Sequence, residues 1–394
     1  MTSVGVGSIG HIAAVTVGTL VAKDITGTSA LSGAPAASVV FGAAAGAAFL
    51  SALMVRRGRR AGLTLGYVIG VIGALISTAS VVSRSMPLLL IGTFLIGFGN
   101  SANNLSRYAA ADMYPAARRA SAIGTVVWGA TIGAVVGPNL VAGAGTFAAS
   151  IGLPVLAGAY LVPVFFVGAA AVVSFVMLRP DPYQLADASA QEAIDSAALA
   201  APLLDTLRRP VVLAAIVALI AGQVVMTLIM TMTPLHMTEE GHGLELVGLI
   251  LSAHTFGMFA LSPISGRLTD RFGSLPVMAL GLATLAVSGV MAALAPMDGG
   301  GILFVALFLL GFGWNLGFVA GSTLLASGVT LGERTRIQGL TDAMIWTSAA
   351  VASLSSGLVM AAASYMVLGL AGAALVIVPA AILLLYRGHI AAAP

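Results

Sequence analysis

A few ionisable side chains interrupt long apolar runs of this sequence: His11, Arg107, His254 and Asp342, with Asp112 at the end of such a run. A charge inside so apolar a stretch is costly and faces a cavity or a partner. A carboxyl or an imidazole there can load and release a proton, and histidine titrates near physiological pH. Asp342 and His254 are therefore the leading candidates for a proton carrier, followed by Asp112 and His11. Each has a plainer use as well. His254 can join two helices by a hydrogen bond, and Asp342 can pair with Arg336 or Arg56. Arg107, preceded by Asn100, Asn103 and Asn104, can contact a solute or a carboxylate, or extend to the interface.

The elements that hold these groups are apolar runs of about 20 residues, the length that crosses a hydrocarbon core of roughly 30 Å. Twelve are centred near residues 15, 43, 73, 97, 129, 167, 222, 256, 285, 314, 348 and 376. Of the 394 residues 59% are hydrophobic and 8% charged, so the solvent is lipid; a soluble domain carries about 25% charge. Backbone polar groups in lipid must be satisfied internally, and no run alternates as a barrel strand does, so the runs are helices. The N-terminus lacks the basic region of a cleaved signal, so the first span is expected to be retained. The absence of cysteine removes disulfides, thiolate metal sites and a cysteine nucleophile.

The net charge of +3 reports topology, not a polyanionic partner such as nucleic acid. Lys23 and Arg84 fall on one side. "RRGRR" (56–60), Arg118, Arg119, Arg208, Arg209, Arg267, Arg271, Arg334, Arg336 and Arg387 fall on or near the other. That bias places both termini in the cytoplasm of a multi-pass protein of the inner or plasma membrane.

The sequence repeats. "FLIGFG" from Phe94 and "FLLGFG" from Phe308 are 214 apart, "LMVRRGRR" and "LTDRFGSL" are 215 apart, and Trp128 and Trp346 are 218 apart. The expected organisation is a six-helix bundle over 1–178, a polar linker over 179–209 and a second six-helix bundle over 210–394. The fold class is thus an all-α integral membrane protein of 12 transmembrane helices in two pseudo-symmetric bundles, the architecture of transporters that rock around a midplane site.

Several motifs resemble the major facilitator superfamily, and the resemblance covers essentially the whole chain. "GRLTDRFG", Gly266 to Gly273, matches the superfamily's loop signature, with Gly266, Asp270, Arg271 and Gly273 in place. Asp270 can face the N-terminus of a neighbouring helix or a basic partner such as Arg118 or Arg119. The N-terminal copy, "SALMVRRGRR", keeps Arg56 and Arg60 but has Ser51 for the first glycine and Val55 for the aspartate. Asp112 or Asp342 is expected to pair with Arg56 instead. In span 5, Gly129, Gly133 and Gly137 are four apart and share a face that lets helices approach closely, and Gly137 with Pro138 bends the helix. With Gly124, this spacing resembles the antiporter motif of the superfamily's drug:proton exporters, where such a helix seals the cavity. Its final glycine pair is replaced by Val141 and Ala142, and the span-4 motif has Phe94 where the family carries arginine.

The resemblance places spans 1, 4, 7 and 10 around a central cavity. They bring Asn100, Asn103, Asn104, Arg107, Gln223, Met226, Met230, Trp314 and Asn315 to it, and Trp128 and Trp346 can join them. Aromatic and methionine side chains with few charges suit a lipophilic ligand, although any one methionine can simply pack between helices. The implied function is proton-coupled efflux of small lipophilic or drug-like compounds by alternating access. The alternative is a metabolite or lipid transporter, or a facilitator without antiport. The expected partners are the bilayer, a small-molecule substrate and protons, acting on a monomer. No cofactor or metal is expected: His236, Glu239, Glu240 and His242 resemble ligands, but no helical i, i+4 pair is fixed among them by the sequence. Nor is an enzyme implied, since neither H-E-x-x-H nor a phosphate loop occurs.

Overall fold

The structure, a computed structural model, describes residues 1–27, 31, 33–181, 203–242, 244–296 and 300–385. Residues 182–202 of the expected linker, and Arg387, lie outside the described residues. Among the described residues there is no strand, and eleven helices are long and apolar enough to cross a membrane.

One of the eleven, Ala34–Ser83, runs for 50 residues and holds two spans, divided at Gly58. Among the described residues there are therefore twelve spans, matching the twelve apolar runs of the sequence. Span 1 is Thr2–Thr26, spans 2 and 3 share Ala34–Ser83, and spans 4 to 6 are Met86–Asp112, Arg119–Ser150 and Val155–Met177. Spans 7 to 12 are Pro210–Met237, Leu246–Phe272, Ser274–Ala293, Gly300–Ser327, Glu333–Ala362 and Tyr365–Leu385. Pro35, Pro87 and Pro263 open helical segments in the first turn, where a missing N–H costs nothing.

The sequence repeat is a repeat of backbone. Gly58, between spans 2 and 3, has φ 83° and ψ 170°; Gly273, 215 residues later between spans 8 and 9, has φ 86° and ψ 162°. Only glycine adopts that conformation without strain, so one reversal is built twice. Helix contacts repeat too. A Cβ on Gly42 would collide with the Phe94 carbonyl oxygen, and one on Gly257 would lie 2.5 Å from that of Phe308. Without a hydrophobic drive between helices in lipid, such small-residue contacts supply the packing.

Two compact units result. The first gathers the described residues of Met1–Met113, Val126–Ala200 and Leu331–Thr347. The second gathers those of Tyr114–Thr125, Ala201–Thr330 and Ser348–Pro394. Each unit thus takes in the first part of one span from the opposite half of the sequence: span 11 in the first, span 5 in the second.

Candidate functional site

The first unit contains a buried ion pair. Arg107 of span 4 and Asp342 of span 11 are 2% and 3% exposed, and the guanidinium grips the carboxylate with both terminal nitrogens. Nη2 donates to Oδ1 at 2.6 Å and Nη1 to Oδ2 at 3.1 Å. Nη1 also donates to the Asn104 carbonyl at 2.7 Å, and Nη2 to the Tyr108 hydroxyl at 2.8 Å. The Arg107 Cζ lies 4.1 Å from the centroid of the Tyr108 ring, and the Tyr108 hydroxyl donates to Asp342 Oδ1 at 3.4 Å. A bidentate, charge-assisted pair backed by further hydrogen bonds is the arrangement that makes burial of two charges tolerable.

A second cluster lies along the same face of span 11, at positions 334 and 338, each a helical turn from the next toward 342. Arg334 Nη1 donates to Asp112 Oδ1 at 2.9 Å, and Arg59 Nη2 donates to Asp112 Oδ2 at 2.9 Å. Arg59 Nη2 also donates to Gln338 Oε1 at 2.6 Å. Arg56 is exposed and takes no part, so the expected pairing of Arg56 with Asp112 or Asp342 is corrected to Arg59 for the first and Arg107 for the second. The turn at Gly58 decides this. It points the Arg59 side chain inward, while the backbone N–H groups of Arg59 and Arg60 donate to the Asp181 carboxylate at 3.2 and 2.9 Å. Arg60 is half-buried over the Phe175 ring.

In the second unit the loop aspartate faces the beginning of a helix. The Asp270 Oδ1 and Oδ2 accept the backbone N–H groups of Ala120 and Ser121, each at 3.0 Å, at the start of span 5. A Cβ on Gly266 would lie 2.7 Å from the Ala120 carbonyl oxygen, and one on Gly124 would collide with that of Ser262. The first unit repeats this contact with an offset of 215: a Cβ on Gly339 would collide with Ser51 and approach the Ala47 carbonyl. Val55 stands where Asp270 would have its counterpart, and the Arg59–Asp112–Arg334 group holds the helix there instead. Arg271 is exposed, beside the Phe272 ring. Replacing Asp270 with Ala removes a charged cap from span 5 and lowers stability by about 1–2 kcal/mol in thermal unfolding, and Asn recovers only part of that, since its amide keeps one of the two acceptor oxygens.

The other candidates divide between two settings. Asn103 bridges Ser8 and Tyr67, donating to the first at 2.6 Å and accepting from the second at 2.9 Å. The Asn104 amide donates to the Asn100 carbonyl at 2.9 Å. Trp314 donates its indole N–H to Gln223 Oε1 at 2.9 Å and stacks on Phe318 at 4.5 Å, with Phe259 edge-on at 6.0 Å. Asn315, by contrast, is fully buried and committed to packing: its amide donates to the Met258 carbonyl and the Ser262 hydroxyl and accepts from Ser265. His254 is buried, its Nδ1 3.0 Å from the Leu307 carbonyl, which is the helix-joining geometry. His11 is half-buried with an unpartnered Nδ1. Met226 is buried, and Met230, Trp128 and Trp346 are half-buried.

The glycine face of span 5 packs on span 1. Cβ atoms on Gly129 and Gly137 would lie 3.2 Å from the Met1 carbonyl oxygen and 2.9 Å from that of Ile9, and one on Gly133 would overlap Ser8. The span-5 helix is continuous through Pro138. Tyr108, Gln338, Arg334 and Arg59 are the site residues that the sequence reading passes over. The spacing Arg334, Gln338, Asp342 was the available signal, a polar stripe along an otherwise apolar helix.

The sequence profile described as Major Facilitator Superfamily matches residues 3–341 and 226–392. The chain belongs to that superfamily. Among curated relatives it is similar to the MFS-type transporters YddS and YdeG of Bacillus subtilis (strain 168). It is 38% identical to YddS, covering 94% of this chain and 85% of that one, and 37% identical to YdeG, covering 97% and 90%. It is also 30% identical to the riboflavin transporter RfnT of Brucella anthropi, over 87% of this chain and 83% of the relative. Among solved structures, the transporter FucP in the outward conformation superposes with a TM-score of 0.76 at 18% identity, covering 97% of this chain and 96% of that one. The human organic anion transporter MFSD10 superposes with a TM-score of 0.73 at 17% identity, covering 97% and 98%. This major facilitator protein is therefore a multi-pass membrane transporter of small molecules and not an enzyme, and its fold is that of the solved transporters.

Proposed function

We propose that the protein is a proton-coupled secondary transporter that exports small lipophilic compounds by alternating access. Asp342 carries the proton and Arg107 is its counter-charge. The observation that carries this reading is the buried bidentate pair between them. Alternating access requires the first part of span 11 to part from the helices it is packed against in the first unit, which means breaking that pair. A proton on Asp342 removes one of the two charges at that moment, so protonation and rearrangement are linked by Coulomb energy. The export direction is supported by the Gly124, Gly133, Gly137–Pro138 spacing of span 5. The arginine distribution supports a cell-membrane protein with both termini cytoplasmic, and the proposed unit is a monomer.

Gln223, Trp314 and Phe318, all buried, form with half-buried Phe259 an aromatic cluster carrying one amide, and opened to the cavity during the transport cycle this surface would suit flat compounds with a hydrogen-bonding edge. Replacing Gln223 with Leu leaves a buried indole N–H unpaired. The expected loss is about 1–3 kcal/mol of stability, with altered discrimination among ring compounds, read by thermal unfolding and competition transport. The same surface favours a second reading, transport of a ring-bearing metabolite without antiport, which the 30% identity to a riboflavin transporter supports. Liposomes containing an internal pH dye separate the two. Lipophilic cations, neutral drugs and riboflavin are added across an imposed proton gradient. Compound-dependent proton movement supports antiport; riboflavin entry without proton movement supports the second reading.

A further inference from the structure

At the end of span 7 farthest from Arg208 and Arg209, one carboxylate lies between two imidazoles. The helix runs on from Pro210 to Glu239, and the Glu240 N–H still donates to the His236 carbonyl at 3.0 Å. His236 and Glu240 therefore form the helical i, i+4 pair that the sequence left unfixed, with His236 Nε2 3.4 Å from Glu240 Oε1. Gly241, at φ 82°, then reverses the chain, and the His242 N–H donates to the Met237 carbonyl at 3.0 Å. The reversal brings His242 Nε2 to 4.0 Å from the other carboxylate oxygen, Oε2. All three side chains are 15–17% exposed.

The His236 ring is held flat against Tyr365 of span 12, centroids 4.1 Å apart and planes inclined by 15°, and Tyr365 is fixed in turn by a 2.8 Å hydrogen bond with Thr233. Glu240 Oε2 and His242 Nε2 are both buried without a hydrogen-bond partner. At 4.0 Å the two atoms are too far apart for a hydrogen bond. A proton on the imidazole makes it a cation beside the carboxylate, and a shift of about 1 Å then joins two unsatisfied buried atoms in a charge-assisted hydrogen bond.

The geometry points to a proton-binding site in which Glu240 holds one proton in common with His236 and His242. The other groups facing it, among the described residues, are Glu239 on the same turn and Tyr365 from span 12. The proton comes from bulk water and goes to an imidazole Nε2; no bond other than N–H is made. Occupied, the site ties the turn at Glu240–His242 to the end of span 7 and through His236 to span 12. The site does not depend on the Asp342 reading, because its occupancy is read locally.

The test is hydrogen exchange by mass spectrometry on the full chain in lipid nanodiscs between pH 8 and pH 5, corrected for intrinsic rates. Amides in the turn after Met237 are expected to gain protection on the order of tenfold at the acid end. Glu240→Gln and His242→Gln are each expected to abolish that gain. Peptides around Asp342 serve as an internal reference that neither variant moves. A wild-type turn indifferent to pH, or a Glu240→Gln protein that keeps the acid gain, would overturn the proposal. So would equal protection at pH 8 on adding Zn²⁺ that is lost in Glu240→Gln, since the site would then be a metal site. If Glu240→Gln fails to fold, His242→Gln, outside the span-7 helix, decides alone.

Discussion

Asp342→Asn lowers the stability of the purified protein by about 3–5 kcal/mol, because it leaves the Arg107 guanidinium buried without its counter-charge. Arg107 is 2% exposed and spends two of its hydrogen bonds on Asp342, so it cannot turn to water. The double variant Arg107→Met with Asp342→Leu is expected to regain most of that loss, since apolar side chains of similar volume often replace a buried pair at little cost. Coupled transport is expected to stay absent in the double variant. Thermal unfolding of Arg107→Met, Asp342→Leu and the double variant closes the cycle. A coupling energy near zero would mean that the pair contributes no more than an exposed one. Arg107→Lys falls between, keeping the charge but losing the two-pronged grip.

Gly133→Leu is expected to cost about 1–3 kcal/mol and to reduce transport by more than tenfold. A Cβ alone at this position would already overlap Ser8 in span 1, and backbone cannot yield as a flexible side chain can. Moving span 1 away from span 5 also pulls Ser8 from Asn103, which loses the 2.6 Å hydrogen bond and with it the tie to Tyr67. Gly143→Ala, in the same helix, meets nothing within 4 Å and is the matched control. It is expected to stabilise by up to about 1 kcal/mol through helix propensity. The two are compared by unfolding and by transport. Equal behaviour would mean that the glycine face is not a packing surface.

Length and composition alone carry the twelve spans, because lipid leaves the backbone no other solution. The internal repeat was legible because the turns at Gly58 and Gly273 demand the same residue type, and because close helix contacts demand glycine at matched positions. Pairings of charged groups were less legible. "RRGRR" offers four arginines, and which one turns inward depends on the φ of Gly58 and on Asp181 far along the chain, neither of which spacing reveals. Asn315 looks like any polar group in a cavity-lining span until its three hydrogen bonds inside the second unit are seen. The His236–Glu240 pair was hidden for a local reason: the helix continues through Pro234 and beyond Met237, where the sequence reads as a loop.

Wild-type protein and Asp342→Asn, reconstituted side by side in liposomes with an internal pH dye, test the coupling role of Asp342 most directly. The prediction is that the wild type moves compound and protons together. Asp342→Asn, carrying a permanently neutral side chain, should exchange compound down its gradient with no proton movement and no response to an imposed proton gradient. Gradient-driven accumulation that persists in Asp342→Asn would contradict the account and assign the proton to another group.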